Sequence, residues 1–451
     1  MAVVGNERLS QEAVEGDIGI GRDDYALTRM PESERRHWFV VFLQRYGQMS
    51  ALSQFLLGAT LGFGMSFWRA FWALTLGAVI LEVVAIFTGI AGQREGLSTS
   101  VLTRWTGFGR YGSSLLGLII MISLMGWFGV QNAVFAEGLV SLMPHVMPLW
   151  AWEILTGIAV TLIVLWGFLS MTWAAYITVP AFVLLCFYSI GKALAKTSLP
   201  ALVSSSHAGP ALGLGAGATF VAGGFIVGAV INPDMCRFNR SPKDVVLNTV
   251  LGITLGEYTV GLIGVLLAHF AKSQDVIAIV TTTSGTIGVL VLVAATVKIN
   301  DWNLYSGSLG LANFLDTAFH HKIHRALLTL IVGGIGTLLS ALGILSHFVG
   351  FLILLGVAIP PVASIVVVDY FILRTHRASL DETRRTGLPG TVPDWNVAGL
   401  VAWVVGGLVG YYLHWGIGSV NALVVAGVVY YVAARVLPAP RQSTSPSMSS
   451  A

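Results

Sequence analysis

The sequence predicts an all-α membrane protein with twelve transmembrane helices, in a five-plus-five inverted-repeat transporter fold whose first and sixth helices are broken. Three observations predict it. The 451 residues are 55% hydrophobic and only 10% charged, against roughly 25% charged in a soluble domain. Apolar stretches of about 20 residues, enough to cross roughly 30 Å of hydrocarbon, recur twelve times along the chain. The first and sixth of these are interrupted by residues that leave backbone groups unpaired, which a bilayer tolerates only where they line a cavity or bind something.

The elements follow in order. Residues 1–34 are polar, carry charges of both signs and lack the short apolar core of a secretory signal, so they are expected to form a disordered cytoplasmic tail. The spans are expected near 38–65, 69–92, 112–142, 149–169, 173–197, 213–232, 245–271, 276–298, 325–342, 344–373, 395–414 and 417–437. The first ten make a transport core over 35–375, a cytoplasmic loop covers 376–394, and the last two are additions over 395–437. Residues 438–451 are too poor in apolar groups to build a core and are expected to be a second cytoplasmic tail.

Orientation comes from the basic residues. Arg94, Arg104 and Arg110, then Arg237, Arg240 and Lys243, then Lys322 and Arg325, then Arg374, Arg377, Arg384 and Arg385 all follow even-numbered spans. By the positive-inside rule those loops and both termini face the cytoplasm, which makes this a multi-pass protein of the cytoplasmic membrane. The opposite connections, such as "MPHVMPLW" at 143–150, are nearly free of Lys and Arg, with Lys192 and Lys196 the exception.

The two interrupted spans carry the functional signal. In "RYGQMSALSQF" Gly47 and Ser50 sit among Gln44, Gln48 and Gln54, and in "FVAGGFIVGAVINPDMCRF" three glycines precede Asn232-Pro233. Breaks at positions one and six predict an inverted repeat with the binding site between them at the bilayer midplane. Glycines at 222–228 are equally compatible with close helix packing, and both readings stand at this level.

Several function classes are excluded or left without support. A net charge of +3 is too small for a nucleic-acid footprint. Cys186 and Cys236 lack CxxC spacing, which argues against a metal site or a disulfide framework, and no cofactor motif is present. No Walker, H-E-x-x-H or G-x-S-x-G motif occurs in a context that would suggest an enzyme. His320 and His324 in "HHKIH" have i, i+4 spacing but fall in a predicted loop, where solvation is the plainer reading. Intramembrane carboxylates are functional candidates by default; Glu82, Glu137, Glu153 and Glu257 are these, with Glu137 foremost because it follows Trp127 by ten residues.

Four motifs then carry a resemblance. "GWFGV" (126–130), "DMCRFNRSPKD" (234–244), "NDWNLYSGSLGLANF" (300–314) and "AIPPVASIVVVDYF" (358–371) resemble, in order and spacing, the nucleobase:cation symporter 1 family, and within it the bacterial cytosine permeases. The resemblance runs from about residue 34 to 435. It implies a secondary transporter that brings a nucleobase or related planar nitrogen heterocycle inward, coupled to sodium or protons. It also implies that Trp127 and Phe225 hold the ring between them; stacking on aromatic side chains is worth ~1–3 kcal/mol per base.

The family's polar specificity positions are altered. Leu124 stands where a glutamine is expected, Val227 where a serine is, and Ala295 where an asparagine is. A site without such groups loses the discrimination they give, so allantoin, hydantoin, uracil or a vitamin precursor are alternatives to cytosine, and a membrane receptor that binds without transporting is a further one. Gln48 and Gln54, flanking the expected first break, are replacement candidates because an amide both donates and accepts. The resemblance places a sodium site between the first break, near Ala51, and two hydroxyls of the eighth span. Here those positions are Lys298 and Ile299, which offer no oxygen to a hard cation. Lys298, with Asp301 at i+3 as a partner, would then replace the ion, making the proton rather than sodium the expected coupling ion. The alternative is that the apolar run ends at Val297 and Lys298 snorkels to the headgroups.

Overall fold

Apolar segments with no water to satisfy their backbone groups fold as helices, and in a computed structural model of the chain helices occupy each of the twelve predicted stretches. The structure describes residues 28–166, 168–319, 323–388, 390–437 and 442–444, without the side chains of 166–176, 298, 325 and 442–444. Among the described residues seven helices are long and apolar enough to cross a bilayer, and five shorter apolar helices complete the set.

Span one is divided into Trp38–Met49 and Leu52–Gly64. Spans two to six are Phe67–Glu95, Gly109–Leu142, Leu149–Trp166, Phe168–Leu194 and Leu214–Val230. Span seven runs from Pro242 to Ala271 through a π-helical turn at Glu257–Gly261. Spans eight and nine are Val276–Phe319 and Arg325–Ala341. Span ten comprises Phe348–Ala358, Pro360–Val367 and a π-helical end at Val368–Leu373. Spans eleven and twelve are Val397–Tyr412 and Gly418–Val436.

The packing has the symmetry expected of an inverted repeat. Span one lies on span seven, and span six lies on span two; span three lies on span nine, and span eight on span four. Exchanging each span of the first five for the one five places later converts one member of each pair into the other, the relation that inverted repeats impose. Spans two and seven, and spans three and eight, pair across the two halves.

Glycines set how closely these pairs approach. A methyl group on Gly58 of span one would sit 2.1 Å from the carbonyl oxygen of Gly261 in span seven, and one on Gly223 of span six 1.8 Å from that of Leu352 in span ten. Backbones approach this closely only where both surfaces lack side chains.

Span ten shows how the two added spans are attached. Pro360 and Pro361 have no N–H, so carbonyls one turn earlier lose their helical partners. Ser419 of span twelve donates to the carbonyl of Gly356 at 2.5 Å, and the indole N–H of Trp403 in span eleven donates to that of Ala358 at 2.7 Å.

Four expectations are corrected. Span six stays helical through its glycines and turns at Ile231 (φ −83°, ψ 16°), immediately before the Asn232-Pro233 pair. Span eight runs to Phe319 rather than ending near residue 298, with its one left-handed residue at Gly285 (φ 61°). Of the polar segment before span one, the described residues 28–34 pack against the rest of the protein. Met30 is buried, its N–H donates to the carbonyl of Gly96 at 2.8 Å, and Arg29 pairs with Glu95 at 3.0 Å. The loop at 376–394 contains a helix, Arg377–Thr386, and a strand, Thr391–Pro393, that pairs antiparallel with Gln442–Thr444 of the C-terminal tail.

Glu95 is the centre of this end of the molecule. Its fully buried carboxylate meets Arg29, Arg377 and Arg384 at 3.0, 3.0 and 2.8 Å and accepts the Tyr370 hydroxyl at 2.7 Å. The predicted first tail, span two, span ten and the loop helix are thereby tied to one charge.

Candidate functional site

The break in span one is a true interruption. The first helix ends at Ser50, whose N–H donates to Tyr46 at 2.8 Å, and Ala51 is extended (φ −108°, ψ 170°) before the second helix begins. Ser50 is buried and its hydroxyl has no hydrogen-bond partner among the described residues. Gly47 lies inside the first helix, one turn before the break, with open space where a side chain would be.

The two candidate glutamines part company here. Gln48 is half-buried on the last turn of the first helix. Gln54 is buried and donates its amide N–H to Glu257 on the π-helical turn of span seven, an interhelical bond. Glu257 is fully buried and its other oxygen has no protein partner.

The two candidate aromatics each have their own surroundings. Trp127 is 7% exposed and sits edge-on against Phe348 and Phe351 of span ten, with centroids 5.8 and 5.9 Å apart. Gly126 makes room: a methyl there would be 2.6 Å from the Phe351 ring. Phe225 is half-buried, folds over Gly228 of its own helix and lies beneath the guanidinium of Arg45, 5.8 Å from the ring centroid. Both aromatics belong to, or pack against, the same hydrophobic cluster.

Span eight reaches this region through its polar motif. Asn300 donates to the backbone carbonyl of Phe128, the residue after Trp127, at 3.4 Å, and Asn303 donates to Asn300 at 3.2 Å. Both are buried, as is Asp301, while Trp302 between them faces outward. Ala295 and Ile299 are half-buried on the same helix. The side chain of Lys298 lies outside the described residues, but its backbone is well inside a helix that continues for another 21 residues, to Phe319. That placement is at odds with a lysine at the end of a span.

Sequence reasoning missed several groups. Arg45, on the first helix of span one, is fully buried and donates to Asn232 at the turn of span six, so it links the two interrupted spans. Gln131 is buried one turn beyond Trp127, with its amide oxygen unpartnered; the i, i+4 spacing from Trp127, which puts both on one helix face, was the available signal. Asn132 donates to the Glu153 carbonyl at 2.7 Å and to Ser340 at 3.1 Å, and accepts from Thr156 at 2.9 Å. Those bonds fasten spans three, four and nine, and Glu153, in the second turn of span four, is buried at that joint.

The comparisons with known proteins agree with this architecture. The sequence model of the family described as permease for cytosine/purines, uracil, thiamine, allantoin matches residues 30–433. The cytosine permease of Escherichia coli K12 is 29% identical over 419 residues, covering 91% of this chain and 94% of that protein. The hydantoin permease of Microbacterium maritypicum is 24% identical over 82% of this chain and 78% of its own length. Among solved structures, the inward-facing conformation of Mhp1 superposes with a TM-score of 0.77 at 21% identity, covering 90% of this chain and 92% of that one. Mhp1 in a closed conformation with bromovinylhydantoin bound gives 0.72 at 20% identity, covering 91% and 94%. With the family match spanning nearly the whole described chain, this protein belongs to the permease family for cytosine/purines, uracil, thiamine and allantoin.

Proposed function

We propose that the chain is a secondary transporter that imports a nucleobase or related planar nitrogen heterocycle across the cytoplasmic membrane, with both termini inside, and that it works without sodium. The heterocycle would be held between Trp127 and Phe225 near the break of span one. The reading is supported by a buried Trp127 with an unpartnered Gln131 oxygen one turn away, and by the cytosine, hydantoin and allantoin permeases among its relatives.

Sodium independence rests on a single observation: the positions that would complete an ion site at the Ala51 break are Lys298 and Ile299. A sodium ion brought within about 4 Å of an ammonium meets a repulsion of roughly 4 kcal/mol at an effective dielectric near 20, enough to empty a site already short of oxygen ligands. A proton is the coupling ion we favour, with Lys298 and the buried Glu257 as the groups that could carry it. The test is uptake of labelled heterocycle into proteoliposomes with sodium replaced by choline. Unchanged uptake is expected; strong stimulation by sodium would refute the coupling assignment, and an absence of counterflow would favour a receptor instead.

A further inference from the structure

A guanidinium keeps its charge even when buried, and a buried charge without a counter-charge costs several kcal/mol. Arg45 is in that position. It is 0% exposed, its stem crosses Gly252 of span seven, and its Nη2 donates to Asn232 and faces Met235 at 3.6 Å. Among the described residues its Nε and Nη1 have no geometric hydrogen-bond partner and it makes no ion pair, the ionisable side chain beside it being the buried thiol of Cys236.

None of the carboxylates of the neighbouring spans pairs with it among the described residues. Glu257 accepts from Gln54, Glu82 from Thr254, and Asp234 from the N–H of Thr99, while Glu95 holds three other arginines. The neighbours left to Arg45 are neutral, and one of them is the ring of Phe225.

We propose that the missing counter-charge is brought by the substrate, and that the transported molecule is an anionic planar nitrogen heterocycle, a ring bearing a carboxylate, whose charged edge is held by the free N–H groups of Arg45 while its face lies on Phe225. The inference rests on the transport reading above and narrows its substrate class. It assigns Arg45, on the helix that precedes the break of span one and bonded to Asn232 at the turn of span six, as a specificity residue. It fits the sodium-independent reading proposed above, since a site already carrying a fixed cation has no need of a bound metal ion to attract an anion.

The experiment is a thermal-shift titration of the purified protein, in which a ligand that binds only the folded form raises the apparent stability by mass action. The probes are uracil-6-carboxylate, uracil, cytosine, acetate and chloride. Charge-assisted hydrogen bonds of this kind should make the carboxylated ring bind about tenfold to a hundredfold more tightly than uracil. Acetate and chloride, which lack the ring, should give no shift in the same range. Arg45→Gln should abolish the preference, and Arg45→Lys should retain part of it; the discrimination by the unaltered protein is read without any variant. Protection by uracil or cytosine but not by the carboxylate overturns the anion assignment and leaves the transport reading standing. Protection by chloride alone overturns it too, by making Arg45 a counter-ion site. No response to any heterocycle removes both.

Discussion

One chemical change at two glycines should have opposite signs. At Gly223 a methyl group would be 1.8 Å from the carbonyl oxygen of Leu352, 2.6 Å from its carbon and 3.1 Å from the nitrogen of Gly356. All three atoms are backbone, so no rotamer change relieves the clash, and span ten must move away by more than an ångström. Overpacking of this kind costs typically about 1–3 kcal/mol and sometimes more, to which is added the loss of the close six–ten contact. At Gly47 nothing lies within 4 Å, and the residue is helical, so Gly47→Ala removes unfolded-state freedom without a clash and should stabilise by about 0.5–1 kcal/mol. The assay is thermal unfolding of detergent-purified Gly223→Ala and Gly47→Ala beside the parent, with substrate counterflow on each. The midpoint should fall for the first and hold or rise for the second. A stable, active Gly223→Ala protein would refute the six–ten packing, and a collapse of Gly47→Ala would mean that Gly47 belongs to the unwound segment after all.

Three further outcomes are expected. Gln131→Leu removes a buried acceptor that has no protein partner, so it should raise stability by about 1 kcal/mol while weakening substrate binding about tenfold; a loss of stability in melting experiments would show that the oxygen is bonded within the protein. Glu95→Gln takes from Arg29 its carboxylate and leaves Arg377 and Arg384 with Asp381 alone, and because the three guanidinium groups are 20% to 45% exposed the roughly 3–5 kcal/mol for breaking a buried pair is discounted to about 2 kcal/mol; trypsin should then cleave faster at Arg29 and Arg377, and unchanged cleavage would contradict the hub. Burial holds the His376 imidazole below the ordinary histidine range, with the Asp369 charge pulling the other way. The folded state therefore prefers the neutral ring, so this contribution is present above about pH 6.5 and is lost as the pH falls. His376→Gln should flatten the decline of the melting midpoint between about pH 7 and 5, and parallel slopes for variant and parent would count against it.

The spans were legible because a helix must be apolar for about 20 residues to cross the hydrocarbon, and that pattern does not depend on the partners. What was not legible depends on the partners. The end of span eight was misjudged at Lys298 because Asn300, Asp301 and Asn303 read as a polar exit, whereas two of them are bonded inside the protein, one to the backbone beside Trp127. Glycine suggests a break wherever it occurs in a span, yet Gly47, Gly223 and Gly224 are helical and the interruptions fall at Ser50–Ala51 and at Ile231. Chain freedom permits a break, and packing decides where it is. The Glu95 hub joins residues 29, 95, 377 and 384, a grouping that no local pattern announces. Arg45 escaped for a related reason, since a single charge near the start of a span reads as interfacial until the neighbours that bury it are known.

The position of Arg45 also bears on how binding and movement are connected. Away from their interruptions, spans one and six are held by glycine contacts: Gly58 and Gly62 on span seven for one, Gly77 of span two and Gly356 of span ten for the other. Such contacts admit little sliding, because the backbones already touch. At the interruptions the connection is instead a polar one, from Arg45 to Asn232, with Asn232 also donating to the Ala85 carbonyl of span two. A guanidinium that gains an anionic partner can be drawn toward it, and any such shift loosens or re-aims the bond to Asn232. If the substrate is the anion proposed above, its binding and the bond between the two spans share one side chain. A ligand shifts a conformational balance only by the difference in its interactions with the two states, and a charge held between the two interrupted spans is where that difference would be largest.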